Sequence, residues 1–452
     1  MKSKTNFVCS NCGATFSKWA GRCENCNEWN TLTEQVVNVA EEAMAKTAIA
    51  KGQVSGKALQ PDKIGNIIPS DAKARLKTEF KDLNTVLGGG ILQGSVSLLA
   101  GQPGIGKSTL LMQICAYISK DVPVLYISGE ESAGQVKLRA TRLGANSEQL
   151  YFASSTSGND IAKTIESGDY KLVIVDSIQT LAMNEISSAP GTVSQVNNCG
   201  NLIIRAAKAT DTAVVIVGHV TKDGSLAGPK VLEHLVDVVL NFEGDRYGGF
   251  KTVRAVKNRF GSTSEVAIFE MNDEGLKEVE NPSATLLAER QNTDGSIILA
   301  TLEGTRPILV EIQALVNKTN FGYPKRTASG FDLNRLNLLI AVLERRTKLK
   351  LSESDIFINV VGGLKIQDSA ADLAVCMAIA SAVAKRKLNE KYVVFGEVGL
   401  GGEIRSAFRP DQRINEAKKL GFTKAIGPAT VKDSFVLPVK DLRTTLIKYM
   451  EK

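Results

Sequence analysis

The chain lacks the features that would place it in a specialised class. No stretch of eighteen or more apolar residues occurs in its 452 residues, so no transmembrane helix is expected. The opening Met1-Lys2-Ser3-Lys4-Thr5-Asn6-Phe7 has no apolar h-region, so a secretory signal is not expected and a cytoplasmic location is. Tryptophan and histidine are scarce, two of each. Apolar residues make up 43% and charged residues 23%, which excludes a disordered or fibrous chain. At about 150 residues per domain the length suggests about three domains.

One sign of charge is also missing over most of the chain. Residues 286–452 hold 26 Lys/Arg and 18 Asp/Glu, whereas the first 285 hold 29 and 30. The basic excess therefore sits wholly in the last third. It is densest at Lys325-Arg326, Arg345-Arg346-Thr347-Lys348-Leu349-Lys350 and Lys385-Arg386-Lys387. Such clusters suit phosphate backbones without sequence choice, or simply a solvated scaffold surface.

Four of the seven cysteines are grouped: Cys9, Cys12, Cys23 and Cys26, in a C-x2-C-x10-C-x2-C spacing. Two CxxC knuckles can offer four thiolates to one tetrahedral ion, and a closed set of four fits structural Zn²⁺ rather than catalytic metal. Disulfides and a redox pair are the alternatives, and nothing indicates an oxidising compartment. Trp19 and Trp29 flank the second knuckle and are expected to cover the small metal core. A segment this short needs its metal to fold. Cys115, Cys199 and Cys376 stand alone and read as inert core thiols.

Residues 95–100 read as a buried strand running into Gly101-Gln102-Pro103-Gly104-Ile105-Gly106-Lys107-Ser108, a complete G-x4-G-K-[ST] box, with a helical run from Thr109. Strand, loop and helix stand in the order that phosphate binding needs. Backbone N–H groups can approach ATP phosphates, Lys107 can neutralise β/γ oxygens, and Ser108 can ligate Mg²⁺. A second strand, 172–176, ends on Asp176, placed to hold Mg²⁺ through water. A third, 124–128, leads to Gly129-Glu130-Glu131-Ser132. Glu130, with Glu131 as the alternative, is the candidate to orient and deprotonate the attacking water, though an acidic pair at a helix start has a dipole explanation too. A fourth strand ends near His219, either a nucleotide sensor or a structural histidine. Strand–helix alternation predicts a parallel α/β sheet with ligand at the strand C-terminal ends. Two polar loops, 184–196 and 222–230, leave that edge and suit coupling hydrolysis to a polymer, or are simple surface loops. In Arg254-Ala255-Val256-Lys257-Asn258-Arg259-Phe260-Gly261, Lys257 and Arg259 point to one side of an extended segment; taken alone this is a solvated basic strand, or the two cations reach a γ-phosphate across a subunit interface.

Together these motifs closely resemble the RadA (Sms) family of bacterial DNA repair and recombination proteins. The likeness rests on the four-cysteine module, the 101–108 box, Gly129-Glu130-Glu131-Ser132, Asp176-Ser177, Ser188-Ala189-Pro190-Gly191 and Lys257-Asn258-Arg259-Phe260-Gly261, and it spans essentially the whole chain. It implies a RecA-like P-loop ATPase core (67–285) behind a zinc module (1–34) and linker (35–66), then an α+β Lon-protease-like domain (286–452). It further implies a hexameric ring on single-stranded DNA, a helicase extending branched recombination intermediates or D-loops, and RecA recombinase as a partner. Lys257 and Arg259 become trans-acting or DNA-coupling residues. A ring-forming, ATP-switched DNA-binding and partner-recruiting module without motor activity is the alternative. In the last third the protease pair is missing. Ala371 stands in the place of the nucleophilic serine and Asp411 in that of the lysine, while Ser369 is off register. No protease activity is expected.

Overall fold

The computed structural model describes residues 3–9, 15–25, 29–38, 63–64, 75–219, 230–244, 249–319 and 322–450. Cys12, Cys26, most of the expected linker and the 222–229 loop lie outside them. The chain divides into two compact units, one of Met1–Phe242 with Ala255–Thr263, the other of Glu243–Arg254 with Ser264–Lys452. The expected boundary after residue 285 falls within the second unit.

In the first unit, six strands run parallel in the order Val238–Gly244, Val96–Gly101, Ala213–His219, Leu172–Asp176, Val124–Ser128, Leu150–Ser154. The four inner strands are almost continuously buried. This is the pattern of a parallel sheet covered on both faces. Crossover helices Lys107–Ile118, Ala133–Arg142, Gly158–Ser167 and Val193–Thr210 supply that cover. Registration places His219 opposite Gly101 and Asp176 opposite Ser128, so four predicted strand ends share one edge. The three solitary cysteines are buried. Burial pushes the Cys199 thiol up to about 11 and the Cys115 and Cys376 thiols higher still, so they are core residues, as expected. The 184–196 loop is less free than its composition suggests. Buried Gln195 donates to the carbonyls of Ile186 (3.2 Å) and Ser188 (2.8 Å) and braces the loop from within the following helix.

The N-terminal ribbon is a three-stranded antiparallel sheet of Ser3–Cys9, Thr15–Phe16 and Leu32–Asn38. Its core is Cys9, Cys23 and Leu32, with Phe7, Phe16 and Ala20 packed against it. This corrects one expectation. Trp19 and Trp29 do not join the described core but remain 62% and 68% exposed; Phe7, Phe16 and Ala20 are the side chains packed against it.

The second unit carries a mixed seven-stranded sheet ordered Arg326–Ser329, Ser354–Val360, Arg306–Lys318, Ser296–Glu303, Tyr392–Val394, Lys424–Pro428, Val436–Val439. Helix Ala371–Ala384 is buried through its first eleven residues and fills the core beside the sheet. Such burial requires a helix that is apolar nearly all round. Ala371 opens it, fully buried, while Asp411 is exposed in the first turn of Pro410–Lys419. Arg413, with 1% of its side chain exposed, pairs with Asp368 and donates to the Ala300 carbonyl at 2.8 Å. Burial alone would raise the Asp368 carboxyl, but Arg413 and the N–H groups of Ala370 and Leu302 hold it below the usual range. Removing one partner strands a buried charge, at a cost of about 3–5 kcal/mol. Asp368→Ala should therefore shift urea unfolding of the second unit strongly to lower denaturant. The wild-type contribution should fade as pH falls through the carboxylate range, since a depressed pKa stabilises only above it. An unchanged urea midpoint would refute this role.

Candidate nucleotide site

The box folds as its spacing requires. Gly104 and Gly106 sit at φ +77° and +114°, where side chains are strained, and a Cβ on Gly104 would meet nothing within 4 Å. That open backbone is a cradle at the start of a twelve-residue helix, where free N–H groups and the dipole favour anions.

Lys107 is buried under this loop. Its ammonium donates to the carbonyls of Gly101 (2.8 Å) and Gln102 (3.0 Å) and lies 3.0 Å from His219 Nδ1. An ammonium has no lone pair, so Nδ1 accepts and the imidazole proton sits on Nε2. That nitrogen faces Glu130 Oε1 at 3.2 Å. Lys107, His219 and Glu130 thus form one relay. Burial pulls the Lys107 pKa down to about 8 against the pull of Asp176 and Glu130. The His219 hydrogen bond, opposed by burial and helped by Ser177, holds Glu130 at about 2.

Asp176 Oδ2 accepts from Ser108 Oγ at 2.7 Å and from the buried Tyr126 hydroxyl at 2.6 Å. A hydroxyl beside a carboxylate is the hard-oxygen pair that a small divalent cation takes. With the open glycine cradle and a buried ammonium, these residues fit a nucleoside triphosphate and its cation.

The two adjacent glutamates diverge. Glu130 enters the relay and accepts from Ser177 Oγ. Glu131 is ion-paired with Arg139. Tyr126, Ser177 and Arg139 were not legible as site residues. Tyr126 hides in an apolar strand, and the other two acquire meaning only through tertiary contacts.

Lys257 and Arg259 do not join this cluster. Lys257 Nζ caps the helix Lys230–Leu235, donating to the carbonyls of Glu233 (2.7 Å) and Val236 (2.8 Å). Burial, then neighbouring Arg259, lowers its pKa. Arg259 pairs with Asp237 at 3.1 Å. Asn258, between them, turns the other way to the Val86 carbonyl, so the expected alternation is present. Asp237 also accepts from the N–H of Val96, first residue of the P-loop strand. At ~3.3 Å per residue that strand puts both cations roughly 16 Å from Gly101, at its far end. In the ribbon, Cys9 and Cys23 are buried together in one small core. They are two of the four thiols expected to hold metal.

The depressed Lys107 pKa has a measurable consequence. Above about pH 8 the nucleotide-free protein sheds this proton, and bound phosphate charge restores it. ATP binding should therefore take up a proton at about pH 9 and almost none at about pH 7. Calorimetry in buffers of different ionisation enthalpy reads the difference; equal uptake at both pH values would count against it.

Three family patterns match in chain order: a rubredoxin metal binding domain over residues 7–34, an AAA domain over 63–225, and subunit ChlI of Mg-chelatase over 336–431. Whole-chain relatives are close. DNA repair protein RadA of Halalkalibacterium halodurans is 48% identical, covering 94% of this chain and 93% of its own. That of Bacillus subtilis is 48% identical over 97% and 95%, and that of Pseudomonas aeruginosa 45% over 94% and 93%. The crystal structure of the RadB recombinase aligns with 45% of this chain and all of its own, at 22% identity and TM-score 0.38. A P-loop domain matching the AAA pattern, a metal-binding ribbon before it and a ChlI-like domain after it follow in one chain. By overall likeness and motif order, this chain belongs to the DNA repair protein RadA family.

Proposed function

We propose that the protein is a ring-forming ATPase that moves on single-stranded DNA and remodels branched intermediates during recombinational repair. The observation that carries the ring is the place of Lys257 and Arg259. They stand at the end of the P-loop strand remote from their own Lys107, which supports a role at a neighbour's nucleotide or in coupling to DNA rather than at their own. Six such subunits and RecA recombinase as partner are the finer form of this reading.

The chemistry uses groups on one sheet edge. Lys107 exchanges loop carbonyls for phosphate oxygens. Glu130, ionised at any working pH, orients a water whose oxygen bonds to the γ-phosphorus as the bond to the bridging oxygen breaks. The bond's electron pair leaves on ADP, and the water's proton passes toward Glu130. Ser108 and Asp176 are the residues that would hold Mg²⁺, which neutralises phosphate charge when bound. Tyr126 keeps Asp176 oriented. Cys9, Cys12, Cys23 and Cys26 are assigned Zn²⁺, which supplies the folding free energy of the ribbon. Proteolysis is not part of this reading. Ala371 is a methyl group buried in a helix and Asp411 is a carboxylate, so neither supplies the hydroxyl or the amine that the expected protease pair needs.

Lys107→Ala and Lys257→Ala should each lower DNA-stimulated hydrolysis by about 10³-fold or more and abolish unwinding of tailed forks. Mixing the two variants should restore part of it, because mixed rings contain an intact P-loop facing an intact Lys257. Failure to complement, with both variants still assembling, would sink the trans assignment. Unwinding by Lys107→Ala would sink the motor, and assembly and partner binding without strand displacement by the wild type would favour the switch. Glu130→Gln should stop hydrolysis while ATP still binds, and Glu131→Gln should leave most of it. Tyr126→Phe should raise the Mg²⁺ needed for half-maximal rate by about tenfold.

A further inference from the structure

Trp19 and Trp29 are the only tryptophans in the chain. Both lie on the ribbon, and both face solvent instead of its core. They are also neighbours. The position a Cβ would take on Gly21 is 3.7 Å from Trp29 Cζ3 and 3.8 Å from Trp19 Cη2, so one flat ligand can reach both rings.

The platform is anchored. Arg22 and Trp29 are paired in an antiparallel bridge, and the Asn30 N–H donates to the Gly21 carbonyl at 2.8 Å. Directly opposed residues share a face, and the Arg22 guanidinium lies 5.8 Å from the centroid of the Trp29 ring, within cation–π range. Lys18, exposed, adjoins Trp19. Within residues 15–25 these two cations accompany one acid, Glu24.

From this geometry we infer that the ribbon is a stacking platform for single-stranded nucleic acid, taken without sequence preference. Every base has a π-face to lay on an indole, and the cations beside the two indoles, Lys18 and Arg22, can draw the linking phosphates. A duplex keeps its base faces stacked on each other, so it cannot use the platform. The inference rests on the DNA-acting reading above but assigns a site to a part of the chain that the nucleotide chemistry does not touch.

Because both tryptophans are on the platform, intrinsic tryptophan emission of the whole protein reports on the ribbon alone. The full chain is titrated with oligo(dT) carrying an end label read by anisotropy. Tryptophan quenching should follow the anisotropy rise over the same concentrations. Trp29→Ala and Trp19→Ala should each weaken binding about 5- to 100-fold with an unchanged salt slope, and Trp29→Phe should recover most of the loss. Arg22→Ala should reduce the slope of log K against log salt by about 0.7. Metal content and DNA-independent ATP hydrolysis should match the wild type in all four variants. A rise in anisotropy without any change in emission would overturn the platform and leave the DNA reading standing. No rise in anisotropy would overturn both. Quenching by a partner protein but not by oligo(dT) would make the surface a protein contact and also overturn the proposal.

Discussion

The nucleotide site depends on the register of the parallel sheet. Gly101 faces His219 and Ser128 faces Asp176 across neighbouring strands, and the polar contacts of the site gather at those four strand ends, with Lys107 and Ser108 on the helix that follows the phosphate loop and Tyr126 within its strand. A slip of one residue would exchange the two faces of a strand. It would carry His219 away from Lys107 and Asp176 away from Ser108. The register is held by strands buried on both faces and by crossover helices, with Val173, Val175, Val214 and Ile216 packed into a common core with Val196, Cys199 and Ile203. The charged groups therefore do not build the site. Apolar packing does, and the charges are set on its edge.

Within that frame Asp176 and Glu130 already have their donors. Asp176 has Tyr126 and Ser108, and Glu130 has Ser177 and His219. Only Lys107 and Ser108 need to exchange partners to meet phosphate or metal; Tyr126 and Ser177 can stay where they are. Orientation fixed before the ligand arrives is what makes electrostatic stabilisation effective in a transition state. The cost is visible in Lys107, whose burial lowers its proton affinity until an anion restores it.

What could be read from the chain was what lies close along it. The 101–108 box, the strand ending at Asp176 and the alternation of Lys257, Asn258 and Arg259 are local patterns with local causes, and each is in place. The choice between Glu130 and Glu131 could not be local, because the two are adjacent. Their different settings come from Arg139 on the following helix, which pairs with Glu131, and from His219 on another strand, which meets Glu130. Tyr126 read as core because its ring is core; only its hydroxyl belongs to the site. The tryptophans failed for a reason of scale. Large apolar residues usually seek an interior, but among the described residues this ribbon's core is Cys9, Cys23 and Leu32, with Phe7, Phe16 and Ala20 packed against it. The basic excess of the last third also has a partly local meaning. Arg345 and Arg346 lie in the last turn of Leu333–Thr347, and Lys348 and Lys385 terminate helices in left-handed backbone. Cations there are favoured by the helix dipole whatever else they contact, so net charge alone overstates how much of it is committed to a partner.

The strand Val96–Gly101 links the phosphate loop to the ion-pair cluster around Asp237. Its first N–H is held by Asp237, which also takes Arg259 and Lys208; its last residue opens the phosphate loop. Asp237 is buried while Arg259 is largely exposed. If Arg259 turns toward a neighbour's phosphate, Asp237 keeps Lys208 and the Val96 N–H and is not left as an unpaired buried charge. That spares the large penalty of breaking a buried pair and makes Arg259 the cheap member of the cluster to move. Lys257 is different, because it satisfies carbonyls at a helix end that would otherwise need water. Of the two cations, Arg259 is therefore the one whose release costs least, and Lys257 the one whose departure must be coupled to rearrangement of the helix Lys230–Leu235.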